Sequence, residues 1–299
     1  MSPEKAGDIL SIQMPEWIQK GMSGQIAYFG GTFTGLSMEE MRAYLEVTAP
    51  YVKSGAVNGV RISTHPNYIN EEILSLLTEY NVTHIELGVQ SMDDEVLLRS
   101  GRNYTAKTVE QSAQLIKRFG FVLGLQMMPG LPGDTFEKST LTAQKIVSLG
   151  ARETRIYPTV VLKGTRLESL YQNKKYTPLG LEDAVSICSN LKQYFEENEV
   201  AVLKIGLHSG AVEDDIVAGP FHPAFGQLVN SRVCLTKMID FCEKHNLKDT
   251  TLQVVAKSYD ISDIVGQHRT NQNALLEKFN VDLKISKKVL TNDFCSVIL

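Results

Sequence analysis

From residue 25 onward the chain alternates two patterns. Short runs of aliphatic and β-branched residues at 25–29, 59–63, 84–87, 122–127 and 153–157 are separated by longer stretches with apolar positions at i, i+3 and i+4. The short runs predict β-strands, and the stretches 38–52, 71–80, 106–119, 136–149 and 181–198 predict amphipathic helices. Several of these helices open on a capping residue, such as Asn70 before Glu71 or Thr105 before Ala106. Strands alternating with helices predict a parallel sheet with helices outside it, either closed into a barrel or doubly wound. In both architectures ligands sit at the C-terminal ends of the strands.

The pattern changes after a sixth strand expected over 201–207. Residues 209–226 are rich in Gly, Pro and acidic side chains, and beyond them the periodicity predicts a helix over 225–245, a strand over 251–256, a helix over 270–279 and a strand over 281–285. The expected division is an α/β domain over 1–208 and a small C-terminal α+β domain over 209–299.

Composition narrows the functional classes. With 43% hydrophobic and 21% charged residues in 299, the chain is neither disordered nor coiled coil. A net charge of −4 gives no overall field toward nucleic acid or an anionic membrane, so such a partner needs a local patch. Residues 232–299 carry ten Lys/Arg against eight Asp/Glu, which leaves RNA contact open there. The four cysteines, Cys188, Cys234, Cys242 and Cys295, contain no CxxC pair and read as reduced thiols. No apolar run of about 18 residues or signal-peptide pattern is present, which points to a cytoplasmic protein with no membrane partner.

Candidate chemistry gathers at the strand ends. After the first strand comes YFGGTFTGL (28–36), where adjacent glycines let a ligand approach the main chain closely. Four further strand ends carry RISTHP (61–66), ELGVQS (86–91), GLQMMPGLPG (124–133) and RIYPT (155–159). Polar groups therefore converge on one rim.

With these motifs in order, the sequence resembles the radical S-adenosylmethionine (SAM) enzymes, and within them the group of the Elongator catalytic subunit and its bacterial relatives. The resemblance runs from about residue 9 to 224 and rests on FGGTFTGL, IELGVQSMDDEVL, LGLQMMPGLPGDT, RIYPTVVLKGTRL and AGPFHPAF. It implies an open (βα)6-type partial TIM barrel. It implies SAM as cofactor, with the main chain of Gly30, Gly31 and Thr32 at its amino group, Gln90 and Arg102 at its methionine part, and Gln126 at its ribose. Ser63 stands where related coproporphyrinogen-oxidising enzymes place a ribose-binding Glu. Met128 and Val160 would flank the adenine or pack in the core.

The family also implies a [4Fe–4S] cluster on a CxxxCxxC loop, and that motif is absent here, where the first cysteine is Cys188. Residues 1–10 align with the helix that follows the cluster loop, so the barrel is expected to lack its first strand, to bind no cluster, and to self-associate through the bared edge. Two functional classes follow: a SAM-dependent radical enzyme in intact form, acting on RNA or a small metabolite, or a non-catalytic module binding a nucleoside, RNA or partner chain. Weaker candidates are His65 and His222 before prolines, Glu86 inside the barrel, the acidic run Glu213, Asp214 and Asp215, and the GQHR loop (266–269), which resembles the GxxG loop of a KH module without its second glycine.

Overall fold

The computed structural model describes residues 1–207, 213–256, 260–286 and 296–298. In chain order it begins with α1 (Pro3–Gln19), β1 (Ile26–Tyr28), α2 (Met38–Lys53), β2 (Val60–Thr64), α3 (Glu71–Glu79) and β3 (Val82–Gln90). There follow α4 (Asp94–Arg99), α5 (Ala106–Arg118), β4 (Val122–Met127), α6 (Phe136–Ser148), β5 (Glu153–Ile156), β6 (Val161–Leu162), α7 (Arg166–Gln172), α8 (Leu181–Glu197) and β7 (Ala201–Ile205). The chain ends with β8 (Ile216–Ala218), α9 (Phe225–Lys244), β9 (Thr250–Val255), α10 (Ile261–Val265), α11 (Thr270–Phe279), β10 (Val281–Ser286) and β11 (Ser296–Ile298).

Six strands form one sheet in the order β1-β2-β3-β4-β5-β7, the open (βα)6 partial TIM barrel that the resemblance implied and one of the two architectures that the alternating pattern allowed. The pairings from β1 through β4 are parallel. Chain contacts divide the protein into two compact units, Met1–Arg155 with Asn198–Leu203, and Ile156–Glu197 with Lys204–Leu299. The expected domain boundary at 208/209 falls outside the described residues.

The first unit is built on strands whose two faces differ. Ile62 of β2, Ile85, Leu87 and Val89 of β3, and Leu123 and Leu125 of β4 are buried. So are Leu45 of α2, Leu74 and Leu77 of α3, Ile116 of α5 and Ile146 of α6. Each such side chain contributes roughly 1.5–3 kcal/mol on burial, so this apolar layer carries the unit's stability. On the alternate positions lie Arg61, Ser63, His84, Glu86, Gly88, Gly124 and Gln126. The helices start where the capping chemistry says they should. Ser37 and Glu40 form a capping box on α2, while Asn70, Asp93, Thr105 and Thr135 accept from the first turns of α3, α4, α5 and α6.

The second unit contains the β6–β8 antiparallel pair and a parallel sheet in the order β10-β9-β11. Its apolar cluster joins Val233, Cys234, Met238, Leu252, Val254, Ile264, Leu275 and Val281. No helix among the described residues is long and apolar enough to cross a membrane.

Candidate functional site

Beyond β1 the chain turns through Phe29, Gly30, Gly31 and Thr32 into a short 3-10 turn, Phe33–Gly35. Gly30 has φ +98°, a conformation that L side chains rarely adopt, and a Cβ at Gly30 or Gly31 would meet nothing within 4 Å. The glycines there leave their main chain open to a ligand. The loop is pinned to the end of β2 by Thr34, whose Oγ1 lies 2.5 Å from Thr64 Oγ1 and whose N–H donates to the same oxygen at 3.3 Å.

Inside the sheet a polar network replaces an apolar core. The registers set Ser63 beside Glu86 and Glu86 beside Gly124. Gly124 makes room for the carboxylate, since a Cβ there would come within 2.9 Å of Glu86 Cγ. Arg61 Nη1 donates to Glu86 Oε1 at 2.7 Å and to Glu153 Oε2 at 2.5 Å. Arg155 Nε donates to Glu86 Oε2 at 2.7 Å, with its guanidinium 4.9 Å from the centre of the Phe29 ring. Gln126 Nε2 donates to Glu86 Oε2 at 3.0 Å and to Ser63 Oγ at 3.4 Å. Burial pushes the Glu86 carboxyl up, but the hydrogen bonds from Arg155, Arg61 and Gln126 outweigh it and hold the group below its usual range. Glu86 is therefore ionised. Burial and the Arg61 charge push the His84 imidazole down, so it is neutral.

Buried ion pairs of this kind are close to neutral in net stability because desolvation offsets attraction. Stability alone does not account for this inner face.

The end of β3 carries the clearest strain. Gln90 has φ +67° at a register shift between Gly88 and Gln90. Its Oε1 is buried with no hydrogen-bond partner. Gly88 leaves the room that the Gln90 amide occupies, since a Cβ there would stand 2.7 Å from Gln90 Nε2. Met128 N–H donates to Gln90 O at 2.9 Å, and Arg102 Nη2 approaches Met128 Sδ at 3.9 Å. Arg102 Nε is likewise buried and unpartnered. His65 caps the following turn by accepting from Asn67 N–H at Nδ1, and its ring meets Tyr104 edge-on at 4.7 Å. Burial and the Arg102 charge lower its pKa. An unpaired carbonyl oxygen and an unpaired guanidinium N–H at one rim suit a ligand with both a donor and an anionic group.

Of the residues expected at the rim, the structure brings Ser63 to Gln126, and Gln90 and Arg102 to Met128. Thr32 makes no side-chain cap bond to the turn it opens. Val160 and His222 belong to the second unit, where a Cβ on Gly219 would stand 3.0 Å from Val160 Cα and His222 Nδ1 accepts from Ala224 N–H. Glu213–Asp215 is an exposed 3-10 turn. Cys188, Cys234 and Cys242 are buried thiols outside any disulfide, and Cys295 lies outside the described residues. Among the described residues no three His, Cys, Asp or Glu side chains are grouped to hold a metal ion. The residues that sequence reasoning missed are Arg61 and Arg155 as partners of Glu86, and Glu153 as the second carboxylate that Arg61 holds. Their signal was charge at every second position of strands that are otherwise aliphatic.

Comparison with known proteins gives this geometry a context. The Radical SAM superfamily profile matches residues 13–144, and the Radical_SAM C-terminal domain profile matches residues 152–234. Elongator complex protein 3 of Schizosaccharomyces pombe is 34% identical over 134 residues, covering 43% of this chain and 25% of that protein. The tRNA uridine(34) acetyltransferase of Methanocaldococcus jannaschii is 30% identical over 134 residues, covering 44% and 25%. The chain thus spans about a quarter of the length of these relatives. The structure of archaeal Elp3 from Methanocaldococcus infernus with an N-terminal deletion superposes with TM-score 0.64 at 20% identity, covering 83% of this chain and 62% of that one, which shows a shared fold. Two consecutive profiles of one family over most of its length, on the fold that the family uses, place this chain in the radical SAM superfamily, with Elongator protein 3 among its relatives.

Proposed function

We propose that this chain is the SAM-binding barrel of an Elongator-like radical SAM protein acting on RNA. The observation that carries this reading is the pair of buried, unpartnered atoms Gln90 Oε1 and Arg102 Nε on the same rim as the open Gly30 and Gly31 loop. An α-amino acid end suits them. Its carboxylate would face Arg102, and its ammonium would face Gln90 Oε1 and the main chain of Gly30, Gly31 and Thr32. Ser63 and Gln126 would meet the ribose hydroxyls. When bound together with a reduced [4Fe–4S] cluster, SAM in this family supplies a 5′-deoxyadenosyl radical. RNA as substrate rests on the relatives, one of which is named for acting on tRNA.

The described cysteines do not fit the cluster. Burial raises the Cys188 thiol and pushes Cys234 up to about 12, so neither offers a thiolate near neutral pH. That observation favours a second reading, in which these residues form a module that binds a nucleoside or RNA without radical chemistry.

Calorimetry with SAM tests the rim. Hydrogen bonds to charged groups contribute roughly 1.5–3 kcal/mol each, against an ordering cost of several kcal/mol, so binding is expected in the high-micromolar to millimolar range, about 4–6 kcal/mol. Arg102→Ala should weaken it at least about tenfold, while Glu213→Gln on the exposed turn leaves it unchanged. An Arg102→Ala protein that binds as well as its parent would overturn the assignment. Anaerobic reconstitution separates the two readings. Stoichiometric cluster uptake by this chain sinks the second, and no uptake with retained RNA binding supports it.

A further inference from the structure

Gln126 is held in one orientation by its neighbour. Its amide contacts Glu86 Oε2 at 3.0 Å and Ser63 Oγ at 3.4 Å through the same end of the group. Glu86 is 1% exposed and has both oxygens engaged by Arg61 and Arg155. An ionised carboxylate only accepts hydrogen bonds, so the end of Gln126 that touches it must be the NH2. That leaves Gln126 Oε1 turned away from Glu86, and no described group donates to it. Ser63 Oγ accepts from Gln126, which leaves the hydroxyl hydrogen of Ser63 free to donate elsewhere. Between them the two side chains offer one acceptor and one donor on the inner wall.

We infer that Glu86 is a positioning residue which fixes the polarity of the Gln126 amide, and thereby makes this wall selective for a vicinal diol such as a ribose. One hydroxyl of a cis-diol donates to Gln126 Oε1 while the other accepts from Ser63 Oγ. The two arginines are the reason the polarity holds: with Arg61 and Arg155 on its oxygens, Glu86 stays charged and has no proton to offer. A neutral side chain in its place has both a donor and an acceptor, and Gln126 could then turn either way. The inference rests on the SAM reading of the rim, and it deepens that reading by assigning the source of ribose selectivity to a residue that need not touch the ligand.

The test has two arms. In the ligand-free protein, NMR of the Gln126 side-chain amide should show both Nε2 protons protected from exchange, with cross-peaks to Ser63. Protons exchanging at solvent rates would overturn the inference without any variant being made. In the second arm, SAM and its 2′,3′-dideoxy analogue are titrated by calorimetry. The parent is expected to prefer the diol about tenfold, Gln126→Leu to lose that preference, and Glu86→Gln to reduce it to about twofold or less while binding of both ligands persists. A folded Glu86→Gln protein that keeps the tenfold preference overturns the inference and leaves the SAM reading standing. A parent that binds neither ligand sinks the SAM reading, and the amide measurement still decides whether Glu86 orients Gln126.

Discussion

Two regions of the molecule, the helices around Asn271 and the barrel rim, treat buried polar groups in opposite ways. In the C-terminal module Asn271 is 3% exposed, and its Nδ2 donates to Ser231 O, Ser231 Oγ, Asp263 O and Ile264 O at 2.8–3.2 Å. It ties α9, α10 and α11 together around an apolar cluster. At the barrel rim, by contrast, Gln90 and Arg102 keep buried atoms without partners, and Gln90 is in addition held at positive φ. An unpaired buried group costs roughly 1–3 kcal/mol, and αL strain on a non-glycine residue costs about as much again. A satisfied buried amide marks architecture, whereas a strained and unsatisfied one marks a place kept ready for something else.

Substitutions in each region should separate stability from binding. The largest effect belongs to Asn271→Ala, which removes the amide that donates to the Asp263 and Ile264 carbonyls and should lower unfolding free energy by about 3 kcal/mol in urea titration, with SAM affinity unchanged. A loss under about 1 kcal/mol would break the contrast. Gly88→Ala should do the reverse. Its Cβ meets only the end of the flexible Gln90 side chain, so stability changes little, while displacement of the Gln90 amide should weaken SAM binding about tenfold in the same calorimetry. Binding that survives intact would remove Gln90 from the site.

Acid should sharpen the comparison by a smaller amount. The Glu86 carboxyl is held below its ordinary value in the fold, so its contribution is present above the unfolded pKa and is lost as pH falls through the lower folded one. The Asp263 carboxyl of the C-terminal module is raised, chiefly by burial, so its contribution is present at low pH and is lost as pH rises through the raised folded value. Below about pH 4.5 the barrel should therefore loosen first. The single tryptophan, Trp17, donates to Ala56 O within the first unit, so its fluorescence reports the barrel alone. In Glu86→Gln the acid limb of that signal should be shallower, and an unchanged limb would show that Glu86 does not drive it.

Much of this was legible in the sequence. The strands expected at 122–127 and 281–285 and the helices at 225–245 and 270–279 match the observed elements within a residue, because aliphatic runs and capping residues mark them locally. β3 is longer than expected, running Val82–Gln90 rather than 84–87, since its far end is held by pairing with β4 that the local pattern cannot show. The short β6–β8 pair escaped for the same reason: Val161 finds Ala218 across a long sequence separation. Gly30, Gln90 and Arg102 could be named from motifs. The strain at Gln90 and the four-way grip on Glu86 could not, because both arise from which strand lies beside which.

The register shift in β3 also bears on how such a rim could be moved. Gly88 lies beside Gln126, yet Gln90 lies beside Met127, so Val89 is a surplus residue on its strand. Counting along β3 therefore gives the right neighbour on β4 for Glu86 and the wrong one for Gln90. A designer grafting these side chains onto another parallel sheet would have to carry the extra residue along, and a gapless alignment drawn through a relative without the bulge would shift every pairing beyond Val89 by one residue.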